Sequence, residues 1–178
     1  MADPSPATET PKPPGVQLSG WLTGLVRARD LKTLADLRRP DALTEARLKA
    51  ANFAPTEAQR DQYERVAFLF ARFHAGASTP SAGFDNVGGA LRRIGSGGGR
   101  GPGDAGAKRL FEVITASHSI PWRHLQHAVE RARSCSVAPP NWAQLTEDVA
   151  LWTSRGRPVA YAWARAFYTP TYRNGGSK

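Results

Sequence analysis

At 178 residues with 40% apolar side chains, the chain suits one medium domain or two small ones with a real core. No run approaches the roughly eighteen apolar residues of a membrane span, and a lone cysteine, Cys135, excludes an internal disulfide. The net charge of +9 points to polyanionic partners, and division at residue 100 leaves +4 on the first part and +5 on the second. Arginine outnumbers lysine several-fold; its planar fork suits phosphate oxygens and base faces, although a high-GC genome also favours it.

The opening MADPSPATETPKPPG carries acids and prolines where a signal peptide needs a basic start and an apolar stretch. Residues 1–16 are expected to be a disordered tail, and the protein to be cytoplasmic. From Leu18 the pattern turns helical, with Trp21, Leu22, Leu25 and Val26 on one face. Leu31, Leu34 and Leu37 continue it, and Leu37-Arg38-Arg39-Pro40 ends it, because a residue before proline avoids the helical region. A short helix is expected over 42–51. Thr56 and Gln59 form a capping box ahead of a strongly periodic helix, with Tyr63, Val66, Ala67, Phe70 and Phe73 inward, that ends at Ala75-Gly76.

A short helix over 87–94 precedes Gly95–Gly106, GSGGGRGPGDAG, which reads as irregular. That stretch is taken as the linker between two helical bundles, 17–94 and 107–170, with a flexible tail at 171–178. Beyond it, 107–116 places Leu110, Val113 and Ile114 together. Ser119-Ile-Pro-Trp122 starts a helix with Trp122, Leu125, Val129 and Ala132 inward. Asn141 caps the next, with Gln144 at the reciprocal position and Leu145, Val149 and Trp152 inward. The last helix, about 159–168, buries Trp163 and Phe167, and Pro170 stops it. No segment alternates in the manner of a strand, so the fold class is all-α, in two small bundles.

Chemistry-bearing patterns are sparse. The glycine stretch lacks the Gly-Lys-Ser/Thr of a phosphate loop and follows a helix rather than a strand. His124 and His127 share a helix face, but His74, His118 and Cys135 do not complete a metal site at compatible spacing. Glu147 and Asp148 are adjacent, so they point about 100° apart on a helix and read as surface charges pairing with arginines. A metal-dependent nuclease needs several converging carboxylates. The protein is therefore expected to be no enzyme and to need no cofactor.

The basic residues carry more. Arg38, Arg39, Arg92 and Arg93 sit at helix ends, where they also complement the helix dipole. Lys108 and Arg109 open a helix, against its dipole, which suggests an external anion. Arg123 follows Trp122 near another helix start, and Arg155 and Arg157 flank a glycine in the turn between the last two helices. These nine are the candidate nucleic-acid contacts. The tryptophans fall on apolar faces and are expected to build the core, with Trp142 a staple beside a cap. Binding should then be backbone-dominated and independent of sequence.

Taken in order, Ala35-Asp-Leu-Arg-Arg39, the FLFARFHAG run ending at Gly76, Gly88-Gly-Ala-Leu91, Lys108-Arg-Leu-Phe111 and His124-Leu125 resemble segments of the CasB family, the small subunits of the type I-E CRISPR surveillance complex Cascade. The spacing from Trp142 through Asp148 to Trp152, and the ending Trp163-Ala-Arg-Ala-Phe-Tyr168, are similar to that family's C-terminal signature. The resemblance spans about residues 20–168. It implies an all-α, non-catalytic subunit of antiviral defence, present as two copies, lying against the backbone and large subunits. Its implied partners are crRNA and target DNA, including the displaced strand, whose R-loop its basic surface would stabilise. Arg39, Lys108, Arg109, Arg155 and Arg157 fall where the family carries basic residues. Gln126 and Ala166 depart from the pattern, which has an arginine and an aspartate there. A helical protein–protein adaptor without nucleic-acid contact is the alternative.

Overall fold

Leucines and valines four residues apart fix the first helix, α1 (Pro14–Arg27), whose Leu18, Leu22 and Val26 are buried. The computed structural model describes residues 11–95 and 98–169. The predicted disorder of residues 1–10, the stop at Pro170 and the 171–178 tail lie outside these residues. Residues 14–16, expected in the tail, are helical: Pro14 occupies the first turn, where its missing N–H costs nothing and its fixed φ suits the helix.

The described residues are all-helical, as expected, and contain no strand. After α1 come α2 (Leu31–Leu37) and α3 (Glu45–Ala51). Asp30 caps α2 by accepting from Thr33 N–H at 3.0 Å, and Thr44 caps α3 by accepting from Arg47 N–H at 3.3 Å. Thr44 thus sets the start of α3 three residues later than expected, and Leu31, expected inward, is 66% exposed. A short 3-10 turn, Glu57–Gln59, leads into α4 (Arg60–Phe73). Thr56 donates to the Gln59 side chain at 3.2 Å and accepts no backbone N–H, so the expected capping box does not form.

Then follow α5 (Val87–Arg93) and α6 (Ala105–Ala116). Residues 101–104 of the glycine stretch are more ordered than its composition suggests. Gly101 N–H donates to Ile94 C=O at 2.8 Å, residues Gly101–Gly103 make a 3-10 turn, and Asp104 caps α6 by accepting from Ala107 N–H at 2.7 Å. On α6, Phe111 turns inward with Leu110 and Ile114, whereas Val113 is exposed. The last three helices are α7 (Trp122–Ser134), α8 (Trp142–Ala150) and α9 (Pro158–Tyr168). Asn141 caps α8 through Gln144 N–H at 3.0 Å, but its own N–H goes to Asp85 C=O at 2.8 Å rather than to Gln144.

Helix α4 packs against α1, α2, α3, α7 and α8, and α5 packs chiefly on α9, with α6 and α7 beside it. Helices from both sides of the glycine stretch are thus interleaved, and their buried side chains form one connected cluster from Leu18 to Phe167. The core does not divide at 95–106 in the manner the two-bundle reading expects. Trp152 and Trp163 are buried, as their helical register predicts, while Trp21 and Trp122, also expected inward, are only partly covered. Trp142 is a core residue rather than a staple, fully buried with its indole N–H on Ser81 C=O at 2.9 Å.

The α5–α9 contact is close enough that a Cβ on Gly88 would run into the Trp163 carbonyl oxygen. In an open helix, glycine to alanine stabilises by about 0.5–1 kcal/mol. Gly20, on α1 with nothing near its missing Cβ, should show that gain in Gly20→Ala. Gly88→Ala should instead lose about 1–3 kcal/mol by forcing the two helices apart. Urea melts of the two variants check the opposite signs.

Candidate nucleic-acid interface

The nine predicted cations fall into two groups, separated by what their donors already hold. Three are built into the frame. Arg92 donates to Phe167 C=O at 2.8 Å, covering an orphan carbonyl at the end of α9. Arg93 donates to Phe84 C=O at 2.7 Å and Ala138 C=O at 3.1 Å, and lies over the Phe84 ring at 5.4 Å. Burial pushes its guanidinium below its usual value, with the charge of Asp85 opposing. Arg157, in a left-handed conformation at φ 53°, donates to Thr115 C=O and, at 2.9 Å, to Ser117 C=O. It closes the end of α6 instead of standing out from the turn. Helix-end carbonyls are strong acceptors without intrahelical donors, and a five-donor fork satisfies several of them at once.

The other six face solvent or a groove. Arg39 is exposed with Asp36 at 3.9 Å, and Lys108 reaches Glu112 at 3.9 Å; neither pairing is tight. Arg38, Arg109, Arg123 and Arg155 have no side-chain partner among the described residues. Arg123 occupies the first turn of α7, where the helix dipole makes a cation unfavourable and an approaching anion favourable, whereas α6 starts at Ala105, earlier than expected, so that Lys108 closes its first turn and Arg109 lies in the second.

Arg38 and Arg123 share a groove of about 450 Å³ where the end of α2, the start of α3, α4 and α7 meet. Lys108 and Arg109 lie on α6, and Arg155 in the α8–α9 turn, so the structure does not gather all six into that groove. The groove holds three further arginines that the sequence pattern did not single out: Arg47, Arg65 and Arg72. Arg65 and Arg72 are seven apart on α4, hence on one stripe, a signal present in the sequence. Arg47 pairs with Glu64 at 2.8 Å with both side chains mostly covered, Arg65 with Asp61 at 2.8 Å, and Arg72 with Glu130. Hydrogen bonds from Arg72 and Gln126 hold the Glu130 carboxyl below its usual value against the opposing effect of burial.

Glu147 is exposed, as expected, but Asp148 is not a surface charge paired with an arginine. It is partly buried beside the aromatic core and accepts the Trp163 indole N–H at 2.6 Å. Desolvation pushes its carboxyl up to about 6 despite that hydrogen bond, and neighbouring Glu147 pushes the same way. One carboxyl beside two tryptophans, with their rings 4.9 Å apart, is a structural arrangement. Among the described residues no group of three or more His, Cys, Asp or Glu could hold a metal ion, and no helix is long and apolar enough to cross a membrane.

The family model described as CRISPR-associated protein Cse2 matches residues 33–168. The fold is similar to the crystal structure of CasB from Thermobifida fusca, with a TM-score of 0.65 and 18% identity over 89% of this chain and 99% of that one. It is equally similar to a Cse2-family CRISPR-associated protein from Thermus thermophilus, with a TM-score of 0.65 and 21% identity over 89% of this chain and 100% of that one. Among curated protein sequences no match is found.

Two measurements test the division of the cations and the state of Asp148. Arg93→Ala strips donors from covered carbonyls and should cost about 1–3 kcal/mol, whereas Arg109→Ala should stay within about 0.5 kcal/mol; thermal melts compare them. Asp148 has a folded pKa raised above its unfolded value of 3.8, so its contribution to stability is fully present below 3.8 and is lost as pH rises through about 6. Asp148→Asn keeps the acceptor without the charge. The stability difference between variant and wild type should therefore grow in the variant's favour from pH 4 to pH 7, as read by urea melts across that range.

Proposed function

The chain belongs to the CRISPR-associated Cse2 family, and on that premise we propose that it serves as the non-catalytic small subunit of type I-E Cascade, gripping nucleic acid through exposed basic side chains. The observation that carries this reading is the set of partnerless arginines, Arg38, Arg109, Arg123 and Arg155, on an all-helical frame. Each phosphate neutralised by such a cation releases condensed counterions, which gives affinity without sequence readout. The exchange of a DNA duplex for an RNA–DNA hybrid plus a displaced strand is nearly balanced. A few added phosphate contacts to crRNA, target DNA or the displaced strand shift it toward the open R-loop. In this reading the partners are the backbone and large subunits, a second copy of the chain, and the nucleic acid they carry, in the cytoplasm.

A helical adaptor without nucleic-acid contact is the second reading. The commitment of Arg92, Arg93 and Arg157 to backbone carbonyls favours it, because it removes three cations from the count available to phosphate.

Assembled complex carrying Lys108→Ala, Arg109→Ala and Arg155→Ala together should show a shorter open-complex lifetime. The salt slope should fall by about 0.7–0.9 for every phosphate that a substituted cation no longer neutralises. Unchanged lifetime and unchanged slope would overturn the nucleic-acid reading in favour of the adaptor. Incubation of the complete chain with labelled DNA and Mg²⁺ should leave the DNA intact.

A further inference from the structure

The groove joining α2, α4 and α7 has a composition that charge alone does not explain. Arg38 comes from the end of α2 and Arg123 from the first turn of α7, and α4 packs against both helices. Between them lie flat, partly covered ring surfaces: Trp122, with the Arg65 guanidinium over its indole at 5.6 Å, and Phe68. The remaining arginines are engaged, Arg47 with Glu64 at 2.8 Å and Arg72 with Glu130. Asp41 is the groove's other carboxylate. The volume of about 450 Å³ falls inside the range of about 300–1,000 Å³ typical of small-ligand sites.

Two unpaired guanidiniums beside an aromatic–guanidinium plate form a surface for a ligand that is anionic at one end and flat at the other. We infer that this groove binds an unpaired nucleotide of a single strand, its phosphate held by Arg38 and Arg123 and its base laid against the Arg65–Trp122 pair. Exposed phosphates on a duplex would satisfy the cations but leave the ring surface idle, because paired bases are stacked on one another. An acidic peptide would satisfy the cations and likewise present no flat ring. Stacking on an aromatic or guanidinium plane tolerates every base, so the site adds affinity for single strands without reading sequence. The inference rests on the nucleic-acid reading above and narrows it to one place and one strand state.

The test is anisotropy titration of the full chain with labelled oligo(dT), an abasic strand of equal length and charge, and a polyglutamate peptide. Wild type should bind oligo(dT) about tenfold tighter than the abasic strand, within the range a stacked base contributes. Arg38→Gln with Arg123→Gln should weaken both strands and lower the salt slope by about 1.4, at about 0.7 per single-strand phosphate. Trp122→Leu should abolish the preference for oligo(dT) and leave abasic binding unchanged. Arg38→Gln with Arg123→Gln alters two side chains that hold no partner in the fold, so it stands as a test even if Trp122→Leu destabilises the fold. Equal binding of oligo(dT) and abasic strand, or polyglutamate binding as tight as oligo(dT), overturns the assignment. If the groove variants bind like wild type while Lys108→Ala with Arg109→Ala weakens binding, the groove fails and the broader reading stands. If wild type binds neither strand, both fail.

Discussion

The frame turns on a buried relay among His74, Ser81 and Trp142. His74, at the end of α4, bonds through Nδ1 to Phe70 C=O at 2.9 Å and accepts Ser81 N–H at Nε2, also at 2.9 Å. Ser81 C=O accepts the Trp142 indole N–H at 2.9 Å, and the indole packs edge-on against Phe70 at 5.3 Å. Every polar atom in this relay has one complementary partner, which a buried polar site requires. The arrangement needs a neutral imidazole with its proton on Nδ1, and burial holds the His74 pKa below its usual value, consistent with that state. The loop between α4 and α5 is thereby strapped to the start of α8. Asn141 N–H on Asp85 C=O and Phe84 N–H on Pro139 C=O extend the strap. Because α8 is held there, it covers α1 and α4, and α1 and α9 contribute to one core.

A chain this basic spends much of its charge internally. Arg92, Arg93 and Arg157 cover carbonyls that helix ends and tight loops leave without donors, and Arg133 donates to Ala75 C=O at 2.6 Å. Lysine could supply the charge but not several donors in a fixed plane. Part of the preference for arginine therefore has a structural cause that composition cannot separate from phosphate binding. Net charge therefore overstates the binding surface.

The all-α class was legible because α4 and α7 repeat their apolar residues at helical spacing over ten residues or more. Boundaries were less legible. Thr44 and Asp104 are ordinary polar residues until the backbone N–H three positions on is seen to point at them. The division into lobes failed to emerge from the core because periodicity says which face is buried, not which helix covers it. Arg157 resembled a surface cation for the same reason: its acceptors, Thr115 and Ser117, lie about forty residues away in sequence, as does Ala138, one of the acceptors of Arg93. Asp148 was misread because its partner, Trp163, belongs to the next helix. The groove was hidden most fully, since Arg38, Arg65 and Arg123 meet only in the folded chain, although the Arg65–Arg72 stripe was visible.

The more exposed ion pairs around that groove, Arg65 with Asp61 and Arg72 with Glu130, add little to stability, about 0–1 kcal/mol each. Their effect is positional. Arg47 binds Glu64 and also donates to Pro40 C=O at 2.6 Å and Ala42 C=O at 2.8 Å, so it fixes the loop just after Arg38. Arg72 and Glu130 tie α4 to α7, the helix that carries Arg123. A free arginine loses up to about 2 kcal/mol of rotamer freedom when a ligand orders it. Paired arginines cannot remove that cost, but they fix the backbones from which Arg38 and Arg123 extend. The spacing between the two backbone positions is then set by the fold, and the paired cations act as struts for the unpaired ones.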